Sequence, residues 1–175
     1  MLDFLGRTKK SACNYSVATI VGVIGGIMSA FVKSGTEGIL PPRTPGRMEP
    51  PVELLEEVGI HAQNMVYFYS EHIVNRAGST VHILFSIVFA TSYCVLAEKF
   101  PKIKLWQGIA YGLVIAVLFH GIILPLFGLS PFVWMIPYDE IISELIGTIF
   151  WVWTIETFRR DLRNHITKKP DPEFQ

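Results

Sequence analysis

Cysteine, catalytic signatures and net charge are all scarce in this chain, and each shortage removes a class of function. Cys13 and Cys94 are the only cysteines among 175 residues. Without a CxxC or Cys/His spacing there is no metal or redox motif to read. Both thiols fall toward the cytoplasmic ends of apolar stretches, where a disulfide does not persist. No GxSxG, Walker, HExxH or dinucleotide fingerprint occurs, so nothing points to an enzyme. Fifteen basic and fifteen acidic side chains cancel to a formal charge of zero, leaving no overall field to attract nucleic acid. No internal repeat of transporter type is visible. No cofactor is expected: two histidines on different helices are what a b-type haem uses, but the chain has no surplus of inward histidines.

What the chain has in quantity is apolar length. Half of it is hydrophobic and its mean hydropathy is +0.39, too apolar for an ordinary soluble domain. Four stretches stand near the ~20 residues a helix needs to cross a bilayer. They cover about 15–33, 79–97, 105–127 and 140–158. Backbone groups left unpaired in lipid force such stretches to be helical. The fold class predicted is an all-α membrane protein, four transmembrane helices in one bundle and one domain over residues 1–175, with the lipid bilayer as its partner. A cleaved signal peptide is the alternative for the first stretch, but no convincing A-x-A site follows it.

Lys and Arg sit at alternate ends of these stretches. Arg7, Lys9 and Lys10 precede the first; Lys99, Lys102 and Lys104 crowd the second connection; Arg159, Arg160, Arg163, Lys168 and Lys169 follow the fourth. The Leu129–Pro137 connection is uncharged, and residues 34–78 are more acidic than basic. The positive-inside rule then puts both termini and a 159–175 tail in the cytoplasm, and the 34–78 loop outside.

That loop opens with a stiff proline tract, Leu40-Pro41-Pro42-Arg43-Thr44-Pro45, which excludes a helix. Pro51 then suits a helix N1 position, with Glu53, Glu56 and Glu57 in the early turns. Ile60–Arg76 mixes apolar residues with His61, Gln63, Asn64 and Glu71 around Tyr67-Phe68-Tyr69. It reads as a second helix, either lying on the outer membrane surface or leading directly into the second span.

Small residues recur every four positions at Gly22, Gly26 and Ala30, and again at Gly108, Gly112 and Ala116, which lets helix backbones approach closely. Two such stripes also raise the expectation of a homo-oligomer, a dimer. One more step along the second stripe is His120. Counting 1.5 Å per residue, His82, His120 and Glu144 reach similar, outward-biased depths, with Lys33 and Glu37 at the outer end of the first span. Ionisable groups inside spans are costly and usually face the bundle or a cavity. The proton-titratable or substrate-pathway candidates are therefore Lys33, Glu37, His82, His120, Glu140 and Glu144, with Lys33 able to pair with Glu37 or Glu144. The plainer alternative makes Lys33 and Glu37 interface anchors, Glu140 a helix N-terminal charge and the histidines satisfied core donors. Glu156 with Arg159 and Arg160 reads as anchoring at the end of the fourth span.

The runs Ser29-Ala30-Phe31-Val32-Lys33, Leu40-Pro41-Pro42-Arg43, Ser86-Ile87-Val88-Phe89-Ala90, Phe100–Gly108 and Arg159–Asn164 resemble those of the YagU-type bacterial inner-membrane proteins. The resemblance extends to the Pro170-Asp171-Pro172-Glu173 tail, and the chain departs from it across Met48–Arg76. It implies an inner-membrane protein associated with acid tolerance, with no established catalytic residues to carry over. Three functions follow: a protonatable cluster that senses pH or passes protons or a small solute, a structural or assembly protein without transport, and a haem or metal-binding electron carrier.

Overall fold

The computed structural model describes residues 7–41, 43–69 and 72–171. Pro42 of the proline tract, Glu71 of the expected loop helix and Pro172-Glu173 of the tail lie outside them. Four helices have the length and apolar composition to cross a membrane: α1 (Tyr15–Glu37), α3 (Arg76–Lys99), α4 (Ile109–Leu126) and α5 (Tyr138–Thr167). Between 17% and 39% of each apolar window is buried within the chain. Most of the apolar surface thus faces outward, as it must where lipid is the solvent. Among the described residues the bundle is four-spanning and all but wholly helical.

Helix α1 is the centre of the bundle, packed against α3 on one side and α5 on the other, while α4 lies against α5. Glycine sets the closeness. A Cβ on Gly22 would stand 2.5 Å from Thr91 Cα, and one on Gly26 2.6 Å from Ile87 Cα. Gly112 faces Val152, whose Cγ1 would lie 2.8 Å from an added Cβ. Ala30 and Ala116 are buried on the same stripes. Both small-residue stripes are therefore occupied within one chain, and a second copy would have to dock elsewhere. A buried hydrogen-bond knot ties three helices at mid-depth. Trp151 Nε1 donates to Ser86 Oγ at 2.7 Å, Ser86 Oγ donates to the Gly26 carbonyl at 2.7 Å, and Ser29 Oγ lies 3.0 Å from Ser86 Oγ. Below it, Ala18, Ala90, Tyr93, Cys94, Trp151, Val152 and Ile155 form the core.

Helix α4 starts later than expected. Trp106, Gln107 and Gly108 hold left-handed backbone (φ 54°, 57° and 84°) before the first turn at Ile109. Gly108 is thus a cap on the stripe rather than its first helical member, and a Cβ there would meet Tyr93 Oη at 2.7 Å. Val117–Ile123 winds as a π-helix. Pro125 has no N–H, so the carbonyl of Gly121 cannot take the usual bond from four residues on, and a wider turn accommodates it. Helix α5 runs on to Thr167, so the first residues of the expected tail are helical.

The loop after α1 holds the expected helix, α2 (Pro50–Glu57), but it starts one residue earlier than Pro51: Glu49 is the N-cap and Pro50 the first residue. The helix expected over Ile60–Arg76 is not formed. A hairpin takes its place, β1 (Val66–Tyr69) against β2 (His72–Asn75), with Phe68 opposite Ile73. Aromatic and β-branched residues suit a pleated ribbon better than a helix, and that preference prevails over the loose apolar periodicity. Asn75 then caps α3, its side chain accepting from Gly78 N at 2.9 Å.

Candidate functional site

At the end of the bundle where α1 finishes and α5 begins, Glu144 gathers the ionisable groups. Its Oε1 accepts from Lys33 Nζ at 2.7 Å and lies 3.0 Å from His120 Nε2. Lys33 also pairs with Glu37 at 3.0 Å, one turn further along α1. Arg43, from the loop, lies 3.7 Å from Glu37 and 3.9 Å from Glu144. Two cations thus face two carboxylates, and the set is neutral while the histidines are neutral. An imidazole Nε2–H at this position donates to the carboxylate whether the ring is neutral or charged. His120 sits in the π-helical stretch, a geometry frequent at functional positions.

Beneath these groups lies a small cavity of about 30 Å³, lined by Lys33, His82, Phe85, His120, Glu144 and Trp151 among others. Its wall is mostly apolar, with Lys33, His82, His120, Glu144 and Thr148 supplying the polar part, and a space of this size has room for roughly one or two water molecules. His82 reaches the site through this cavity and not through a direct bond to Glu144. The set spans a gradient of exposure, from Lys33 at 11% to Glu37 at 40%. Of the expected residues, Lys33, Glu37, His82, His120 and Glu144 are brought together. Glu140 is not among them. Its Oε2 accepts from Thr44 N at 3.2 Å and Thr44 Oγ1 at 3.1 Å, and its Oε1 pairs with Arg47. It clips the loop to the start of α5. Burial and the neighbouring charge of Arg43 lower the Arg47 pKa, though a guanidinium stays charged at any physiological pH.

A second polar network closes the opposite end, and sequence reasoning missed most of it. Glu98 of α3 pairs with Arg163 of α5 and accepts from Asn14 N at 2.8 Å. Glu156 accepts from Tyr93 Oη at 2.8 Å and from Arg159 Nε at 2.6 Å. Arg159 also spans both oxygens of Asp171, at 2.8 and 2.6 Å, and Lys104 Nζ reaches Asp171 Oδ2 at 2.6 Å. Burial pushes the Asp171 carboxyl up, but its bonds to Arg159 and Lys104 outweigh that and hold it below the usual carboxylate range. Arg160, grouped with Arg159 in the sequence, points outward to Asp161 at 3.0 Å. The signal was the helix face: Val152, Ile155, Glu156, Arg159 and Arg163 are buried at helical spacing, so the inward stripe runs on through charged residues.

The family model described as a protein of unknown function, DUF1440, matches residues 27–157. That range holds every ionisable group of the histidine end and stops short of Arg159, Arg163 and Asp171. The chain is 41% identical over 199 residues to the inner membrane protein YagU of Escherichia coli (strain K12), covering 99% of this chain and 97% of that protein. No solved structure matches. With four apolar helices and this near full-length likeness, the chain belongs to the DUF1440 family as a multi-pass inner-membrane protein.

Proposed function

We propose that the protein contributes to acid tolerance through the histidine end, which responds to protons arriving from outside the cell. The carrying observation is the sharing of Glu144 Oε1 between Lys33 and His120. In that arrangement the cluster is charge-balanced only while the histidines are neutral. A proton taken up by His120 or His82 adds positive charge among groups with no spare carboxylate. It strengthens the hold of His120 on Glu144 at the expense of Lys33, which has Glu37 as a second partner. An imidazole titrates near pH ~6.5 when unperturbed, within the range over which external acidity varies. Because Lys33, His120 and Glu144 belong to α1, α4 and α5, a change of partner bears directly on how those helices pack, and such a state-dependent interaction is what a population shift requires.

The cavity of about 30 Å³ favours a proton or water over a larger solute. The acid-tolerance setting comes from the resemblance to YagU-type proteins, and the chemistry from the cluster. The Lys/Arg distribution supports the histidine end facing outward, with both termini in the cytoplasm. Cysteine labelling of intact cells tests that orientation: a cysteine at Thr44 reacts with an impermeant reagent and one at Lys168 is protected.

Histidine titration by NMR in nanodiscs tests the site. His82 and His120 are expected to titrate together, and Glu144→Gln to move both curves. Independent curves that Glu144→Gln leaves unchanged would defeat the reading. A second reading, a scaffold or assembly protein without proton handling, is favoured by the buried ion-pair network at the other end. Proton flux into vesicles separates passage from sensing and scaffolding: only for passage does His120→Ala lower it.

A further inference from the structure

At the end opposite the histidines, the tail places a carboxylate where three cations converge. Arg159 is 1% exposed and presents two N–H groups to the two oxygens of Asp171. Lys104 Nζ, 8% exposed, reaches the same carboxylate from the connection between α3 and α4. Arg163 Nε lies 3.8 Å from its Oδ1, and Arg163 Nη1 donates to the Pro170 carbonyl at 3.2 Å. These donors come from two separate elements: Arg159 and Lys104 bond Asp171 directly, while Arg163 lies just beyond bonding distance and Glu156 and Glu98 hold the remaining N–H groups of the two arginines. A planar fork beside an ammonium is the donor set proteins use for phosphate as readily as for carboxylate.

Asp171 is the movable member of this set. The other carboxylates, Glu98 and Glu156, belong to α3 and α5. Asp171 sits instead on a short non-helical segment after Thr167, which turns back through Lys168 in the left-handed conformation (φ 53°). A residue with a Cβ is strained in that conformation, so the turn opposes the ion pairs that fold the segment back. The exposed surface at this end is rich in lysine, at Lys9, Lys10, Lys99, Lys168 and Lys169, while Arg160 is paired with the exposed Asp161. Such a collar concentrates anions, and basic pockets between helices on the cytoplasmic side take phosphate headgroups.

We infer that Arg159, Arg163 and Lys104 form a binding site for a phosphate group, which the chain's own Asp171 occupies until a phosphate-bearing ligand displaces it. The same chemistry is offered by an anionic phospholipid headgroup and by free phosphate. Displacement frees the segment after Thr167 from the bundle, so occupancy of the site is readable at the tail. This site is independent of the histidine end, and neither reading requires the other.

The test uses the full chain in phosphatidylcholine nanodiscs at constant ionic strength, with inorganic phosphate or a fraction of phosphatidylglycerol as the probes. Binding is read from thermal shift and, for the lipid, from molecules retained in native mass spectrometry. Removing a tethered competitor raises apparent affinity by the inverse of the fraction of open sites, here about tenfold or more. Asp171→Asn is therefore expected to bind at least one probe that much more tightly than wild type, and adding Lys104→Gln to remove the gain. A gain with phosphatidylglycerol alone assigns the site to a headgroup; one with inorganic phosphate assigns it to the free ion. In the unaltered protein the effective probe is also expected to speed tryptic cleavage after Lys168, a readout that survives if the variants fold poorly. The inference is overturned if Asp171→Asn gains nothing for either probe, if Lys104→Gln leaves the gain intact, or if neither probe changes cleavage.

Discussion

One end of the bundle shares a glutamate between a lysine and a histidine, while the other holds Glu98, Glu156 and Asp171 with two arginines and a lysine. Both sets are ionic and both tie several elements together. Their titration behaviour differs in kind. Guanidinium groups stay charged at every physiological pH, so the arginine end keeps its pairs from pH 5 to 8. The histidine end contains imidazoles, the side chains whose ordinary pKa falls in that window. Burial differs as well. Arg159 and Arg163 are almost fully enclosed, whereas His120 is 34% exposed and Glu37 40%. Similar distances therefore join enclosed guanidinium pairs at one end and half-exposed imidazole and carboxylate groups at the other.

The largest expected effect breaks the enclosed pairs. Arg159→Ala leaves Glu156 and Asp171 without their main partner, and removing one member of a buried pair costs about 3–5 kcal/mol. Loss of folded protein in detergent is the expected result. A variant as stable as wild type would show that the arginine pairs do not hold the fold together. Next in size is Gly26→Leu, which drives a side chain into Ile87 and Ser86 of α3 and costs about 1–3 kcal/mol or more by overpacking. It should lower thermal stability of the monomer. A normal stability with altered association would instead move that stripe to an intermolecular contact.

Glu144→Gln is expected to act more gently, about 1–2 kcal/mol from a weakened hydrogen bond to a charged partner, because Lys33 retains Glu37. Its clearer mark is on pH response, with the coupled histidine titration abolished while the arginine end is unchanged. If Glu144→Gln destabilises as much as Arg159→Ala, the two ends do not differ as described.

The smallest effect is a separation in pH. The folded-state pKa of Asp171 lies below its unfolded value near ~3.9. What Asp171 contributes is then fully present above that value and lost as pH falls through the lower folded pKa. Amide hydrogen exchange in the segment behind Thr167, followed across pH and corrected for its intrinsic pH dependence, should lose protection only below about pH 4. Changes at the histidines should come well above that. Tail release at pH 6 would erase the contrast between the ends.

Much of the histidine end was legible because its residues lie at helix-face spacing within apolar stretches, where any charge stands out. Lys33 with Glu37 and Glu144, and His120 one step past Ala116, were visible that way. Glu140 was visible too, but its partners Thr44 and Arg47 come from an irregular loop that no periodicity describes. The arginine end was hidden for the opposite reason. Arg159 and Arg163 follow a span in a basic stretch, where charge is expected and reads as anchoring. Asp171 meets Arg159 only because the chain turns back at Lys168.

The apolar lengths, the basic residues at alternate ends and the small-residue stripes determined by themselves that this is a four-span membrane protein with closely packed helices. Lipid leaves the backbone no alternative to the helix, so length and composition suffice. Tertiary structure alone decided which charges meet, that Ile60–Arg76 contains a hairpin, and that both glycine stripes are consumed within one chain. Those outcomes depend on which faces compete for one another, and on loops whose course is set by the contacts they end in.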